Sequence, residues 1–316
     1  MAFQTISLFS GGANLPLAQA ISRAASIKLG TLTIKRFSDG EVFVQIEENV
    51  RGSDAFVIQP TCPPVNDNLI ELLVIIDALK RASVESITAV VPYYGYARQD
   101  RKVSPRTPIS AKLVADLLQA AGVHRVVAVD LHAGQIQGFF DVPFDNLYGL
   151  SVLTSHLRSR VSGEVTVVSP DAGGTERARS FARRLHAKLA IIDKRRPKAN
   201  ESAVMHIIGE VAGTECIIVD DMVDTAGTLT NCAKALVDAG AKKVFAAATH
   251  GVLSGPAIDR LAESPIEEFV VTDTIPVDQE KRTRGRITVV TCAPLLAEAI
   301  KRIHTGDSVS GLFQEE

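Results

Sequence analysis

Short runs of β-branched residues alternate along this chain with stretches in which apolar residues recur every three or four positions. Val42, Val44 and Ile46 fall on one side of an extended segment, with Gln45 and Glu47 on the other, as in a half-buried strand. Leu69, Leu72, Leu73, Ile76 and Leu79 recur at helical spacing. Thr107-Pro108 reads as the N-cap and first position of a helix. That helix is expected to turn Leu113, Val114, Leu117, Leu118 and Ala121 inward and to stop at Gly122. The next segment, VHRVVAV, suits a fully buried strand. The alternation runs on to a helix over residues 293–303. Repeated strand–helix units predict an α/β fold with mainly parallel sheets flanked by helices.

Two segments resemble one another. LQAAGVHRVVAVDLH (118–132) and LVDAGAKKVFAAATH (236–250) share a helix end, Ala-Gly, a valine at the same offset and a histidine ten residues after the glycine. Each helix is preceded by an apolar strand that ends in a polar loop. The 316 residues therefore divide into two similar α/β domains, as expected at roughly 100–200 residues per domain. The expected boundaries are 1–147 and 148–316, joined near Asn146–Leu150, with the C-terminal tail packing back on the first domain.

Composition narrows the functional classes. Hydrophobic residues are 46% and charged residues 22%, which argues for a folded chain. A formal charge of −2 offers no global field to attract a nucleic acid or a membrane surface. Trp is absent and aromatics are 5%, too few for a base-stacking platform. Cys62, Cys216, Cys232 and Cys292 lack metal-ligand spacing and read as buried free thiols of a reducing compartment. No signal peptide is evident at the N-terminus. The longest uncharged stretch, Val244–Ile258, holds a histidine, two glycines and a proline and cannot span a bilayer. The expectation is a cytoplasmic protein with neither nucleic acid nor membrane as partner.

Three segments carry chemistry. In CIIVDDMVDTAGTLTNCAKAL (216–236), an apolar strand delivers Asp220 and Asp221 at its C-terminal end, where open α/β sheets bind ligands. Asp224, Thr225, Ala226, Gly227 and Thr228 then form a tight loop entering a helix. Small residues let backbone N–H groups reach a phosphate, and the helix terminus favours the anion. Carboxylates beside a phosphate cradle suit an esterified sugar, and the pattern resembles the 5-phosphoribosyl-binding motif of type I phosphoribosyltransferases. In YYGYARQDRKVSPRTPIS (93–110), Arg98, Arg101, Lys102 and Arg106 concentrate positive charge between a strand and a helix, suited to phosphate. In VDLHAGQIQGFFDVPFDNLY (129–148), Asp130, His132, Asp141 and Asp145 could together hold a divalent cation.

FSDGE, PYYGYARQDRK, DLHAGQIQGFFDVPFDNLY, DKRRP and VDDMVDTAGTL, taken in order, resemble the ribose-phosphate pyrophosphokinase family over essentially the whole chain. The resemblance implies two phosphoribosyltransferase type I-like domains and transfer of the pyrophosphoryl group of ATP to the anomeric hydroxyl of ribose 5-phosphate. The products are 5-phosphoribosyl 1-pyrophosphate, for nucleotide, histidine and tryptophan biosynthesis, and AMP, with Mg²⁺ as cofactor. By resemblance, Phe37, Asp39, Gly40 and Glu41 form an adenine-recognising hairpin loop that serves a neighbouring subunit, and Arg98 and Gln99 bind ATP. His132 and Asp171 lie at the magnesium sites. Asp220 binds the ribose hydroxyls, Asp221 a hydroxyl or the metal, and residues 224–228 the 5-phosphate. Lys194 and Arg196 of the basic run 194–198 close on the reacting phosphates as a mobile catalytic loop, Arg196 also touching ribose 5-phosphate. Arg51, Arg81, Ser83, Ser308, Ser310 and Phe313 correspond to a regulatory site for phosphate and ADP. The family assembles as homohexamers.

The chemistry explains the need for cations. Phosphoryl-type transfer asks a protein for in-line positioning and for neutralisation of developing charge. The chain has neither a GxxxxGK[ST] segment nor a kinase-type glycine loop, so ATP must be held by another device. His132 and a metal-lowered hydroxyl pKa remain equal candidates for deprotonating the sugar. Two other readings stay open at this point: a phosphoribosyltransferase that consumes the activated sugar, and a catalytically silent regulatory subunit of the same fold.

Overall fold

A computed structural model describes residues 5–195 and 204–312. Contacts divide the chain into two compact units. Among the described residues, the first comprises 5–148, 274–276 and 291–312, and the second 149–195, 204–273 and 277–290.

The first unit runs β1 (Ile6–Ser10), α1 (Leu15–Ala25), β2 (Leu32–Arg36), β3 (Val42–Ile46), β4 (Asp54–Ile58), α2 (Val65–Arg81), β5 (Ser86–Val91), α3 (Ser110–Ala121), β6 (Arg125–Val129) and β7 (Phe144–Leu147). Its parallel sheet has the order β1-β4-β5-β6-β7, and β2 and β3 form a separate antiparallel ribbon. Both faces of the sheet are covered, so its strands are apolar on both sides. Ala55, Val57, Ala89, Val91, Val126 and Ala128 face α2 and α3. Phe56, Ile58, Val90, Val127 and Val129 face α1 and a late helix described below. The expected strand at 42–46 and helix at 69–79 form. The helix after the basic loop differs in detail: it starts at Ser110 with Ile109 as its cap, two residues beyond Thr107-Pro108. Its inward stripe is Ala111, Val114, Ala115 and Leu118, while Leu113 and Leu117 are exposed. Leu113 and Leu117 fall on the opposite side of the helix from that stripe.

The second unit runs α4 (Leu150–Arg158), β8 (Val165–Ser169), α5 (Thr175–Leu185), β9 (Lys188–Arg195), β10 (Val204–Ile208), β11 (Glu215–Val223), α6 (Gly227–Asp238), β12 (Lys243–Gly251), α7 (Ala257–Ala262), β13 (Ile266–Thr272), α8 (Gln279–Gly285) and β14 (Ile287–Val290). The sheet order is β10-β9-β8-β11-β12-β13-β14, parallel apart from the β10–β9 edge pair. α4 and α5 cover one face, and α6 and α7 the other. The next helix, α9 (Ala293–Thr305), packs on α1 within the first unit.

The internal repeat has a structural counterpart. α3 ends at Gly122 (φ +112°) and feeds parallel β6, and α6 is followed by Gly240 (φ +89°) and parallel β12. A left-handed residue stops each helix and turns the chain into the sheet, and glycine adopts it without a Cβ penalty. All four cysteines are buried and outside any disulfide. Burial pushes the Cys62 thiol up, to about 11. Among the described residues no helix is long and apolar enough to cross a membrane.

Candidate active site

In the first unit, the buried strand β5 leads through Pro92 to Tyr93-Tyr94-Gly95. The Tyr94 hydroxyl donates to the Ala111 carbonyl (3.1 Å), tying the loop to α3. The Gly95 N–H donates to Thr61 Oγ1 (2.6 Å), and a Cβ on Gly95 would lie 2.5 Å from the Thr61 carbonyl oxygen. Tyr96 follows at φ +64°, with its hydroxyl bonded to Asn66. Arg98 and Gln99 come next, both exposed. Gln99 is anchored at both ends: its N–H donates to the Tyr96 carbonyl (3.1 Å), and its side-chain oxygen accepts from Ser110. Arg101, Lys102 and Arg106 are exposed. The loop thus presents cations from a backbone pinned to β5, α2 and α3.

Strand β6 leads to Asp130, buried at φ +45°, and then to exposed His132. Gln135 Nε2 donates to Asp100 Oδ2 (2.5 Å), connecting this loop to the basic one. Of the carboxylates named with His132, Asp145 is engaged elsewhere. Asp145 pairs with Arg125 across β6 and β7 (2.5 Å), while Asp141 is exposed and its N–H donates to Gln119 Oε1 (2.6 Å). The ion pair consumes the charge that the sequence offered to a metal. Among the described residues no group of three metal-ligating side chains forms.

The β2–β3 ribbon carries Phe37, Asp39, Gly40 and Glu41 at its tip. The Phe37 N–H donates to the Glu41 carbonyl (2.8 Å), Asp39 Oδ1 accepts from the Glu41 N–H (3.1 Å), and Gly40 sits at φ +97°. Phe37 is 56% exposed. The closed turn leaves Phe37 exposed, its ring edge-on to Phe43 at 6.0 Å.

Arg51, Arg81, Ser83, Ser308 and Ser310 are exposed in the first unit. The Gly52 N–H donates to the Ser83 carbonyl (2.9 Å), and Arg81 pairs with Asp77 (2.7 Å). His304 contacts Asp54 (2.9 Å), three residues past Arg51, and anchors the end of α9 there. Ser308 and Ser310 follow that anchor. Phe313 lies outside the described residues, as does Arg196. Lys194 is on β9, in register with Met205.

In the second unit, Asp220 and Asp221 lie on central strand β11, beyond its last pairing with β8. Arg177 on α5 faces both, at 3.9 and 3.6 Å. Burial and then the neighbouring Asp221 charge push the Asp220 carboxyl up, to about 8. Asp171, after β8, is exposed, and its Oδ1 accepts from the Gly174 N–H (3.0 Å). The loop 224–227 leads into α6 through Ala226, a non-glycine residue at φ +58°.

A second segment holds this loop. The Leu253 N–H donates to the Val223 carbonyl (3.1 Å), and the Ser254 N–H to the Asp224 carbonyl (3.0 Å). Ser254 Oγ bonds Asp224 Oδ1, and Arg260 Nη1 donates to the Thr225 carbonyl (2.9 Å). Sequence reasoning missed Arg177 and Arg260. Arg177 is one of four arginines on α5 and Arg260 stands alone on α7, so no local pattern distinguishes them.

Two mainly parallel sheets, one ending in paired carboxylates and a small-residue loop at a helix terminus, define a phosphoribosyltransferase-type α/β enzyme. Residues 6–122 match the N-terminal domain of ribose phosphate pyrophosphokinase, and residues 194–314 match the phosphoribosyl synthetase-associated domain. Ribose-phosphate pyrophosphokinase of Caldanaerobacter subterraneus is 58% identical, and that of Burkholderia pseudomallei 56%, each over 98% of both chains. The crystal structure of phosphoribosylpyrophosphate synthetase from Mycobacterium smegmatis superposes with a TM-score of 0.91 at 44% identity, covering 96% of this chain and all of that one. The chain belongs to the ribose-phosphate pyrophosphokinase family.

Proposed function

We propose that this enzyme transfers the pyrophosphoryl group of ATP to O1 of ribose 5-phosphate, yielding 5-phosphoribosyl 1-pyrophosphate and AMP in the cytoplasm. The single observation that carries the reading is the β11–α6 site. Carboxylates that accept from sugar hydroxyls stand four residues before a loop that can hold a phosphate by its N–H groups. O1 bonds to the β-phosphorus as that atom's bond to the α,β-bridging oxygen breaks, and the O1 proton leaves. Asp220 and Asp221 orient the ribose, and residues 224–228 hold the 5-phosphate. Arg98 and Gln99 take ATP phosphates and base, and Phe37, Asp39, Gly40 and Glu41 read adenine, for a neighbouring subunit of a homohexamer. Lys194 and Arg196 supply charge as the bond to AMP breaks.

The residues fit Mg²⁺. Asp171 in the second unit and His132 in the first are each exposed, and each would hold an ion whose remaining positions are filled by ATP oxygens and water, as a hard octahedral ion prefers. Bound there, the ion would neutralise phosphate charge and lower the barrier to attack. Phosphate and ADP would act at Arg51, Arg81, Ser83, Ser308, Ser310 and Phe313.

The test is AMP release from ATP and ribose 5-phosphate with no nucleobase present, with and without a chelator. We expect stoichiometric AMP and phosphoribosyl pyrophosphate, abolished by the chelator and restored by excess Mg²⁺. Release only when a nucleobase is added would instead identify a phosphoribosyltransferase.

A further inference from the structure

We propose that the segment Leu253–Arg260 is a brace that presets the phosphate cradle, and that Arg260 is a positioning residue for the 5-phosphate of the sugar. The inference rests on residues 224–228 being that cradle, as read above.

Three successive carbonyls, of Val223, Asp224 and Thr225, each accept from this one segment: from the Leu253 N–H (3.1 Å), the Ser254 N–H (3.0 Å) and Arg260 Nη1 (2.9 Å). In a planar trans peptide the C=O and the following N–H point in opposite directions. Fixing those carbonyls therefore turns the N–H groups of Asp224, Thr225 and Ala226 away from the brace. Amides set in advance need no reorientation when the anion arrives, so the ordering cost is met during folding and not during binding.

Ala226 gives independent support. Its φ of +58° is left-handed, a conformation that a non-glycine residue holds only when its surroundings over-determine it. The peptide just before Ala226 is the one that Arg260 pins. Without that bond, the Thr225–Ala226 peptide can flip and present a carbonyl where the phosphate needs a donor. Arg260 also explains Gly227: a Cβ there would stand 3.1 Å from Arg260 Nη1. The guanidinium thus occupies the space beside the loop that a side chain would otherwise take. Its positive charge lies behind the cradle and attracts the anion as well.

Ser254 completes the brace by bonding Asp224 Oδ1. That contact directs the acidic side chain at the mouth of the loop towards the brace and away from an incoming phosphate. Hydroxyl and guanidinium act on adjacent residues of one loop, so their effects are expected to be non-additive.

The experiment compares wild type with Arg260→Met, Arg260→Lys, Ser254→Ala and Thr228→Ala. It measures steady-state constants for both substrates and direct binding of ribose 5-phosphate and of inorganic phosphate by calorimetry. For Arg260→Met we expect at least a tenfold rise in KM and Kd for ribose 5-phosphate, with KM for ATP and the melting temperature nearly unchanged. Arg260→Lys should recover part of the loss, because an ammonium can still donate to one carbonyl. Thr228→Ala separates the two levels of the inference. If it weakens sugar-phosphate binding while Arg260→Met and Ser254→Ala do not, the brace is refuted and the cradle stands. If none of the three variants alters that binding, the cradle reading falls as well. Should Arg260→Met fail to fold, Ser254→Ala and Arg260→Lys carry the test. Equal losses for ATP and sugar would mark Arg260 as merely structural and overturn the proposal.

Discussion

Asp220 makes a prediction whose sign runs against the usual behaviour of a carboxylate. The ordinary Asp pKa is about 3.9, and in the folded chain burial and the Asp221 charge raise Asp220 to about 8. Between those values the native state holds a proton that the unfolded chain has released. Stability must therefore fall as pH rises through this window. The slope from one such group approaches about 1.4 kcal/mol per pH unit. The side chain is 27% exposed, and solvent screening reduces the effect, so we expect roughly 2 kcal/mol between about pH 5 and 8. Asp220→Asn removes the titration while keeping the shape. The variant should match wild type near pH 4 and exceed it at pH 8 and above. Urea denaturation across this range, in a chelator and without substrates, reads the difference directly. Parallel stability curves, or a wild type that gains on the variant with rising pH, would refute the reasoning. The same change should cost function above about pH 8, where a neutral amide replaces a charged acceptor of the ribose hydroxyls, and affinity there should drop about tenfold.

Two further outcomes follow from the site. Gly95→Ala drives a Cβ to 2.5 Å from the Thr61 carbonyl oxygen, a backbone clash that should destabilise by about 1–3 kcal/mol. Because Arg98 and Gln99 follow directly, KM for ATP should rise more than KM for ribose 5-phosphate, and thermal melts beside kinetics check both. Lys194→Ala should leave ribose 5-phosphate binding nearly unchanged while turnover falls steeply, and unaltered turnover would remove Lys194 from the mechanism.

Hydrophobic periodicity located β3, α2 and β6 because each satisfies its pattern locally: alternate residues of β3 are half-buried, and β6 is buried on both faces. In α3 it found the inward Val114 and Leu118 and the stop at Gly122, and missed on Leu113 and Leu117, which are apolar yet exposed. The acid–histidine cluster failed for another reason. Arg125 stands twenty residues before Asp145, and only the pairing of β6 with β7 brings the two together. The cradle could be read because a phosphate loop needs small residues at fixed spacing. Its supports could not, since Arg177 and Arg260 reach it from other helices and neither sits in a motif.

The helix α9 bears on how the chain is made. Its Leu296, Ala297 and Ile300 complete the same apolar layer as Leu8, Phe56 and Val127. Some 145 residues separate the end of β7 from the start of α9. At about 5–20 residues per second, a ribosome needs on the order of 10–30 seconds to span that gap. During that interval the nascent first unit has its α2–α3 face closed and its other face covered by α1 alone. The second unit is therefore the first that can finish, although its residues are synthesised later.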